Sequence, residues 1–145
     1  MNKNLNQEIQ ILINMYKFGD FSAVLKKCSL LVKTHPKNDF LWNLAGLSFQ
    51  QIGDNKNAIS SFQSAIHLNS QNISAKNNLA ISFKNNRDFK KAEEILNKLL
   101  KEKPDYFNAL INLANLKNDT YFFDEAIKLY KKAINTEEKS PGLYL

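Results

Sequence analysis

Residues of matching size recur every 34 positions along almost the whole chain, which confines the fold to a row of like units before any residue is read singly. Trp42, Gly46, Phe49, Gly53-Asp54, Ala58, Phe62 and Ala65 set the pattern. One period later stand Ala80, Phe83, Asp88, Ala92, Leu96, Leu99 and Pro104, and two periods later Ala114, Ala126, Tyr130 and Ala133. One period earlier come Met15, Asp20, Val24, Cys28, Leu31 and Pro36. Four repeats result, 5–38, 39–72, 73–106 and 107–140. Residues 141–145 read as the opening of a truncated fifth, with Tyr144 three periods after Trp42.

Each repeat reads as a helical hairpin. Phe40, Leu44 and Leu47, with Ala45, Phe49 and Ile52, fall at helical spacing; Gly53-Asp54 breaks the run, and Ala58, Ile59, Phe62, Ala65 and Ile66 restart it. First helices are expected at 5–18, 39–52, 73–86 and 107–118, second helices at 21–34, 55–68, 89–102 and 123–136. Small residues at Gly46, Ala80, Ala58, Ala92 and Ala126 suit places where two helices approach closely and a larger side chain would overpack. Pro36 and Pro104 lie just past second helices, where a residue without an N–H ends a helix at little cost. The turn at 118–122 is expected to be irregular, because Tyr121 and Phe122 stand where two earlier repeats have Gly-Asp.

An aromatic, Leu-Gly or Leu-Ala, a second aromatic, Ala, an aromatic or Leu, Ala and a closing Pro make up the signature of the tetratricopeptide repeat, which this pattern resembles. Leu79-Ala80, Leu113-Ala114, Ala58, Ala92, Ala126, Pro36 and Pro104 carry the match. Glu8 and Lys76 depart from it at the place of Trp42, Ser70 and Glu138 at the closing proline, and Lys117 at the second aromatic. The resemblance implies an all-α, right-handed α-solenoid of four hairpins forming a single domain over residues 1–145. Neither linker-like nor low-complexity stretches interrupt the chain, which holds four glycines and three prolines.

Nothing points to catalysis. His35 and His67 have no second ligand at metal-binding spacing, no glycine loop could cradle phosphate, and Glu93-Glu94 and Glu137-Glu138 point different ways from a helix as sequence neighbours do. The chain is therefore expected to be non-enzymatic, with no cofactor and no metal. Cys28 repeats the apolar place of Phe62, Leu96 and Tyr130 and reads as a buried thiol. The net charge of +6 comes almost entirely from lysine, in a chain also rich in asparagine. Lys26, Lys27, Lys90, Lys91, Lys98, Lys128, Lys131 and Lys132 lie on second helices, the outer surface in the family, and Glu94–Lys98 and Asp124–Lys128 have the spacing of exposed pairs. Basic residues and stacking aromatics do not share a face, so nucleic acid is not the expected partner. Neither a signal-like run in residues 1–14 nor a membrane-length apolar segment is present, and cytoplasmic residence without a membrane partner is the default expectation.

The family resemblance implies a concave groove lined by first helices. A helical wheel puts Gln10, Ile13, Asn43 and Leu47 there from the first two repeats, and Asn77, Asn78, Ile81, Asn108, Asn112 and Asn115 from the last two. Gln10, Asn78 and Asn112 share a register and would form a ladder of carboxamides, each offering a donor and an acceptor to a peptide unit. The ladder resembles the asparagine rows in the repeats of O-linked N-acetylglucosamine transferases, which hold an extended polypeptide by its backbone. A carboxylate clamp of the kind found in chaperone-tail receptors is not expected, because Ile9, Ile13, Leu44, Ser74 and Asn78 occupy its places. The expected function is a protein- or peptide-binding scaffold holding an extended polypeptide in the groove. Two alternatives are the recruiting arm of a larger glycosyltransferase or sulfotransferase, and a self-association module that forms a homo-oligomer through the C-terminal unit, where Ile127, Leu129, Tyr130, Ala133 and Ile134 surround much of the last helix.

Overall fold

The computed structural model describes residues 3–138, which form eight α-helices and, among the described residues, no strand. First helices are α1 (Lys3–Lys17), α3 (Asp39–Gln51), α5 (Ile73–Asn85) and α7 (Phe107–Asp119). Second helices are α2 (Phe21–Thr34), α4 (Asn55–Leu68), α6 (Phe89–Glu102) and α8 (Phe123–Glu138). The hairpin pattern read from the sequence is thus the observed one. The expected opening of a fifth repeat at 141–145 lies outside the described residues. Two compact bodies divide the chain, Met1–Asn78 and Leu79–Leu145.

The backbone of the turn inside each repeat recurs four times, and three of the four turns add an acidic cap. The second helix begins after Asp20, Asp54 or Asp88, whose carboxylate accepts from the amide of Ala23 (3.2 Å), Asn57 (3.1 Å) or Lys91 (3.3 Å) and so satisfies a donor the helix leaves orphaned. The preceding residue is left-handed in each case: Gly19 at φ 81°, Gly53 at φ 80°, Arg87 at φ 62° and Tyr121 at φ 66°. Around Gly53 the amides of Ile52, Gly53 and Asp54 reach the carbonyls of Ser48 (3.2 Å), Gln50 (3.1 Å) and Phe49 (2.9 Å). Around Tyr121 the same three bonds recur, from Thr120 to Leu116 (3.1 Å), Tyr121 to Asn118 (3.1 Å) and Phe122 to Lys117 (2.8 Å). The turn at 118–122 is therefore regular and not the irregular segment its residues suggest. Helix termination outweighs the side chain's preference and places a tyrosine where glycine is favoured.

In the N-terminal body, α2 packs on α1 and α3, and α3 on α4. Leu12, Val24, Cys28, Leu41, Leu44 and Ala45 form its buried cluster. A methyl group on Gly46 would lie 2.6–2.8 Å from the ring of Phe62, so glycine there is a requirement of the α3–α4 contact. In the C-terminal body, α7 packs on α6 and α8, with Ala92, Leu96, Leu99, Leu110, Leu113, Ala114 and Leu116 buried. The exposed pairs Glu94–Lys98 and Asp124–Lys128 expected from spacing do not form; one local pair joins Lys91 to Asp88 at 2.9 Å, and others join helices, as Lys27 does to Glu8 and Lys84 to Asp119 at 2.8 Å. Coulomb attraction between two solvated side chains scarcely exceeds the entropy of fixing them. No helix among the described residues is long and apolar enough to cross a membrane.

Candidate functional site

The first-helix residues singled out by register differ in how much surface they offer. In the N-terminal body, Gln10 is exposed and Ile13 half-buried on α1, while Asn43 and Leu47 are half-buried on α3. The Oδ1 atom of Asn43 is shut off from solvent and has no hydrogen-bond partner, an acceptor whose lost hydration nothing offsets. On α5, Asn77 is buried, with 5% exposure, and presents almost no surface. Asn78 is half-buried; its carbonyl accepts from Gln50 Nε2 at 3.0 Å, which ties the end of α3 to α5, and its own amide lies 3.5 Å from Ser74 Oγ.

In the C-terminal body Ile81 and Asn112 are half-buried and Asn108 is exposed, its amide 3.5 Å from the Tyr106 hydroxyl. Asn115 is engaged inside the fold: its Oδ1 accepts from the Tyr130 hydroxyl at 2.5 Å, linking α7 to α8. None of these ten side chains ionises.

Sequence reasoning passed over a charged cluster in this body centred on Lys117. Lys117, whose side chain keeps 12% exposure, donates to Glu93 Oε1 at 2.6 Å, pairs with Glu125 Oε2 at 2.9 Å and lies 5.0 Å from the centre of the Phe122 ring. The hydrogen bond that Lys117 donates to Glu93 raises its pKa against the opposing effect of desolvation. The internal alignment held the signal. Lys117 repeats the place of Met15, Phe49 and Phe83, and Glu93 that of Leu25, Ile59 and Ile127, so two apolar places turned charged together with opposite signs.

Burial pushes the Cys28 thiol up to about 11, so it stays protonated at neutral pH. His35 caps the end of α2 with Nδ1 2.9 Å from Thr34 Oγ1, and His67 is exposed in the last turn of α4. Among the described residues no three His, Cys, Asp or Glu side chains are grouped as a metal would need.

Residues 51–117 match the tetratricopeptide repeat family. With eight helices in hairpins of constant register, the described chain has the fold of tetratricopeptide-repeat proteins. No curated protein matches it by sequence. Among solved structures it is similar to MamA, with 22% identity over 95% of this chain and 81% of that one and a TM-score of 0.84. MamA residues 41 to the end from Desulfovibrio magneticus RS-1 give 14% identity over 95% and 78% of the two chains, with a TM-score of 0.80. The second tetratricopeptide domain of human RPAP3, in complex with the HSP70 peptide SGPTIEEVD, gives 15% identity over 76% and 92%, with a TM-score of 0.72. At these identities the likeness is one of fold.

Proposed function

We propose that the protein is a non-catalytic module that binds an extended segment of another polypeptide, each body offering carboxamides from its first helices. The observation that carries this reading is the repeat register itself: Gln10 is exposed, and Asn78 and Asn112, 34 residues apart, are half-buried, all on first helices of an established interaction fold. The peptide complex of the RPAP3 domain supports a peptide as the kind of partner. That peptide ends in Glu-Glu-Val-Asp, whereas Ile9, Ile13, Leu44, Ser74 and Asn78 bring no cation to meet such a terminus here. The ligand recognised is then read through its backbone, and its binding responds only weakly to salt. Peptides captured from a lysate on the immobilised protein supply the ligand. Replacing Asn78 and Asn112 together by Ala should weaken its binding by around tenfold, each lost hydrogen bond counting roughly 0.5–1.5 kcal/mol. Unchanged affinity in a variant of unchanged helicity removes the carboxamides from the mechanism.

A second reading has its own support. Phe123, Ile127 and Ile134 share one face of α8 and are 53%, 50% and 54% exposed. Their counterparts on α2, Phe21, Leu25 and Val32, are half-buried, and α3 packs on that helix. The α8 stripe thus has the composition of a covered face without the cover, and we propose that a second copy of the chain meets it there.

A further inference from the structure

A cavity of about 270 Å³ opens between α2, α3 and α4 in the N-terminal body, away from the first-helix carboxamides. Leu25 and Val32 of α2 and Trp42 and Phe49 of α3 form its walls, and Cys28 and Ala45 its base. All are apolar or neutral, the thiol included, because burial keeps it protonated. An apolar cavity of roughly 150 Å³ suffices for benzene, so this one has room for a ring with substituents. Two aromatic walls favour an aromatic occupant, through edge-to-face or offset contact.

One lining group is out of keeping with the rest. Ser61 of α4 is 4% exposed, yet its hydroxyl makes no hydrogen bond to any described residue. Three nearby serines bond back to their own helix: Ser60 to the Lys56 carbonyl at 3.3 Å, Ser64 to that of Ser60 at 3.0 Å, and the buried Ser48 to that of Leu44 at 2.9 Å. The Ser61 hydroxyl is not among the polar atoms shut off from solvent, so it is left open to the cavity and available to a ligand atom that donates or accepts. At the mouth, Ser29 and Lys33 are exposed, and Lys33 is the one charged residue lining the cavity.

We propose that this cavity binds a small hydroxyaryl carboxylate, with the ring between Trp42 and Phe49, the phenol paired with Ser61 and the carboxylate near Lys33. The site is independent of the peptide-binding reading, since none of its residues belongs to that set.

Trp42 is the only tryptophan in the chain, so its fluorescence reports occupancy without a label. It also borders a second, more open hollow with Pro36 and His67, so variants, not fluorescence alone, must locate the ligand. Three probes separate the contacts: 4-hydroxyphenylacetate, phenylacetate without the phenol, and tyrosol without the carboxylate. Titration of the full chain should give saturable binding of 4-hydroxyphenylacetate, three- to tenfold weaker binding of phenylacetate, and tyrosol binding insensitive to salt. Ser61→Ala should bring the two acids to equal affinity while leaving phenylacetate unchanged. Val32→Phe, which fills the cavity from its wall, should abolish binding with helicity retained. Absence of saturable binding by any probe overturns the proposal, as does a phenol preference that survives Ser61→Ala, or binding that survives Val32→Phe. Should Val32→Phe fail to fold, the Ser61→Ala comparison alone decides.

Discussion

At the scale of single residues, a close approach of paired helices is managed by exchanging volume between two places of the repeat. Gly46 faces Phe62 in the second repeat, and the same two places hold Leu12 and Cys28 in the first, Ala80 and Leu96 in the third, and Ala114 and Tyr130 in the fourth. A large residue on one helix is matched by a small one on the other, as close packing requires. Gly46→Ala would gain about 1 kcal/mol of helix propensity, but it sets a methyl 2.6–2.8 Å from a fully buried ring, and such overpacking costs about 1–3 kcal/mol. We expect urea unfolding to show a net loss of about 1 kcal/mol. Adding Phe62→Leu, which reproduces the Ala80 and Leu96 combination, should recover most of it. A single Gly46→Ala variant more stable than the parent would refute the close-contact account.

At the scale of elements, α8 starts differently from the earlier second helices. Phe122 stands where Asp20, Asp54 and Asp88 cap α2, α4 and α6, so α8 starts without the carboxylate acceptor that the other three have. Hydrogen bonds lower the pKa of Asp54 and Asp88, chiefly from the Asn57 and Lys91 side chains respectively, so those two caps act above the ordinary carboxylate pKa and fade as pH falls. For α8 the compensation comes from Lys117 on α7, which bridges Glu93 of α6 and Glu125 of α8. Lys117→Ala leaves two carboxylates facing each other across the vacated place. The loss should be about 1–3 kcal/mol, below that of a fully buried pair because the glutamates are 39% and 53% exposed. The raised pKa fixes the sign with pH. The contribution is complete below the unfolded lysine value of about 10.4 and disappears as pH climbs through the folded value. Urea midpoints of the parent and Lys117→Met should therefore converge only above about pH 10.5. A difference constant from neutral pH to that range would show that lost packing, not the ionic bridge, separates them.

At the scale of the whole molecule, what the sequence revealed was what repeats. Helix limits were legible to within two residues at every end, because the apolar spacing and the acidic cap recur with a fixed period. Departures from the repeat were harder to read. Nothing local in Arg87 or Tyr121 signals a left-handed backbone, and the reach of Lys117 to Glu93, 24 residues away, escapes any rule about neighbouring turns. For the candidate site, a helical wheel assigned faces but not partners, so it could not show that Asn77 is buried or that Asn115 is bonded to Tyr130. The wheel did mark Ile127 and Ile134 on α8 and missed Phe123, which completes the exposed stripe. An exposed apolar face of this length favours association, since burying a half-exposed isoleucine or phenylalanine contributes on the order of 1 kcal/mol. Light scattering should then show the molar mass of the parent rising with concentration. Ile127→Lys places a charge at the centre of the stripe and should hold the protein monomeric without lowering its stability, because the side chain is already half in solvent. A parent that stays monomeric at the highest attainable concentration, or an Ile127→Lys variant that associates equally well, would exclude α8 as the contact between copies.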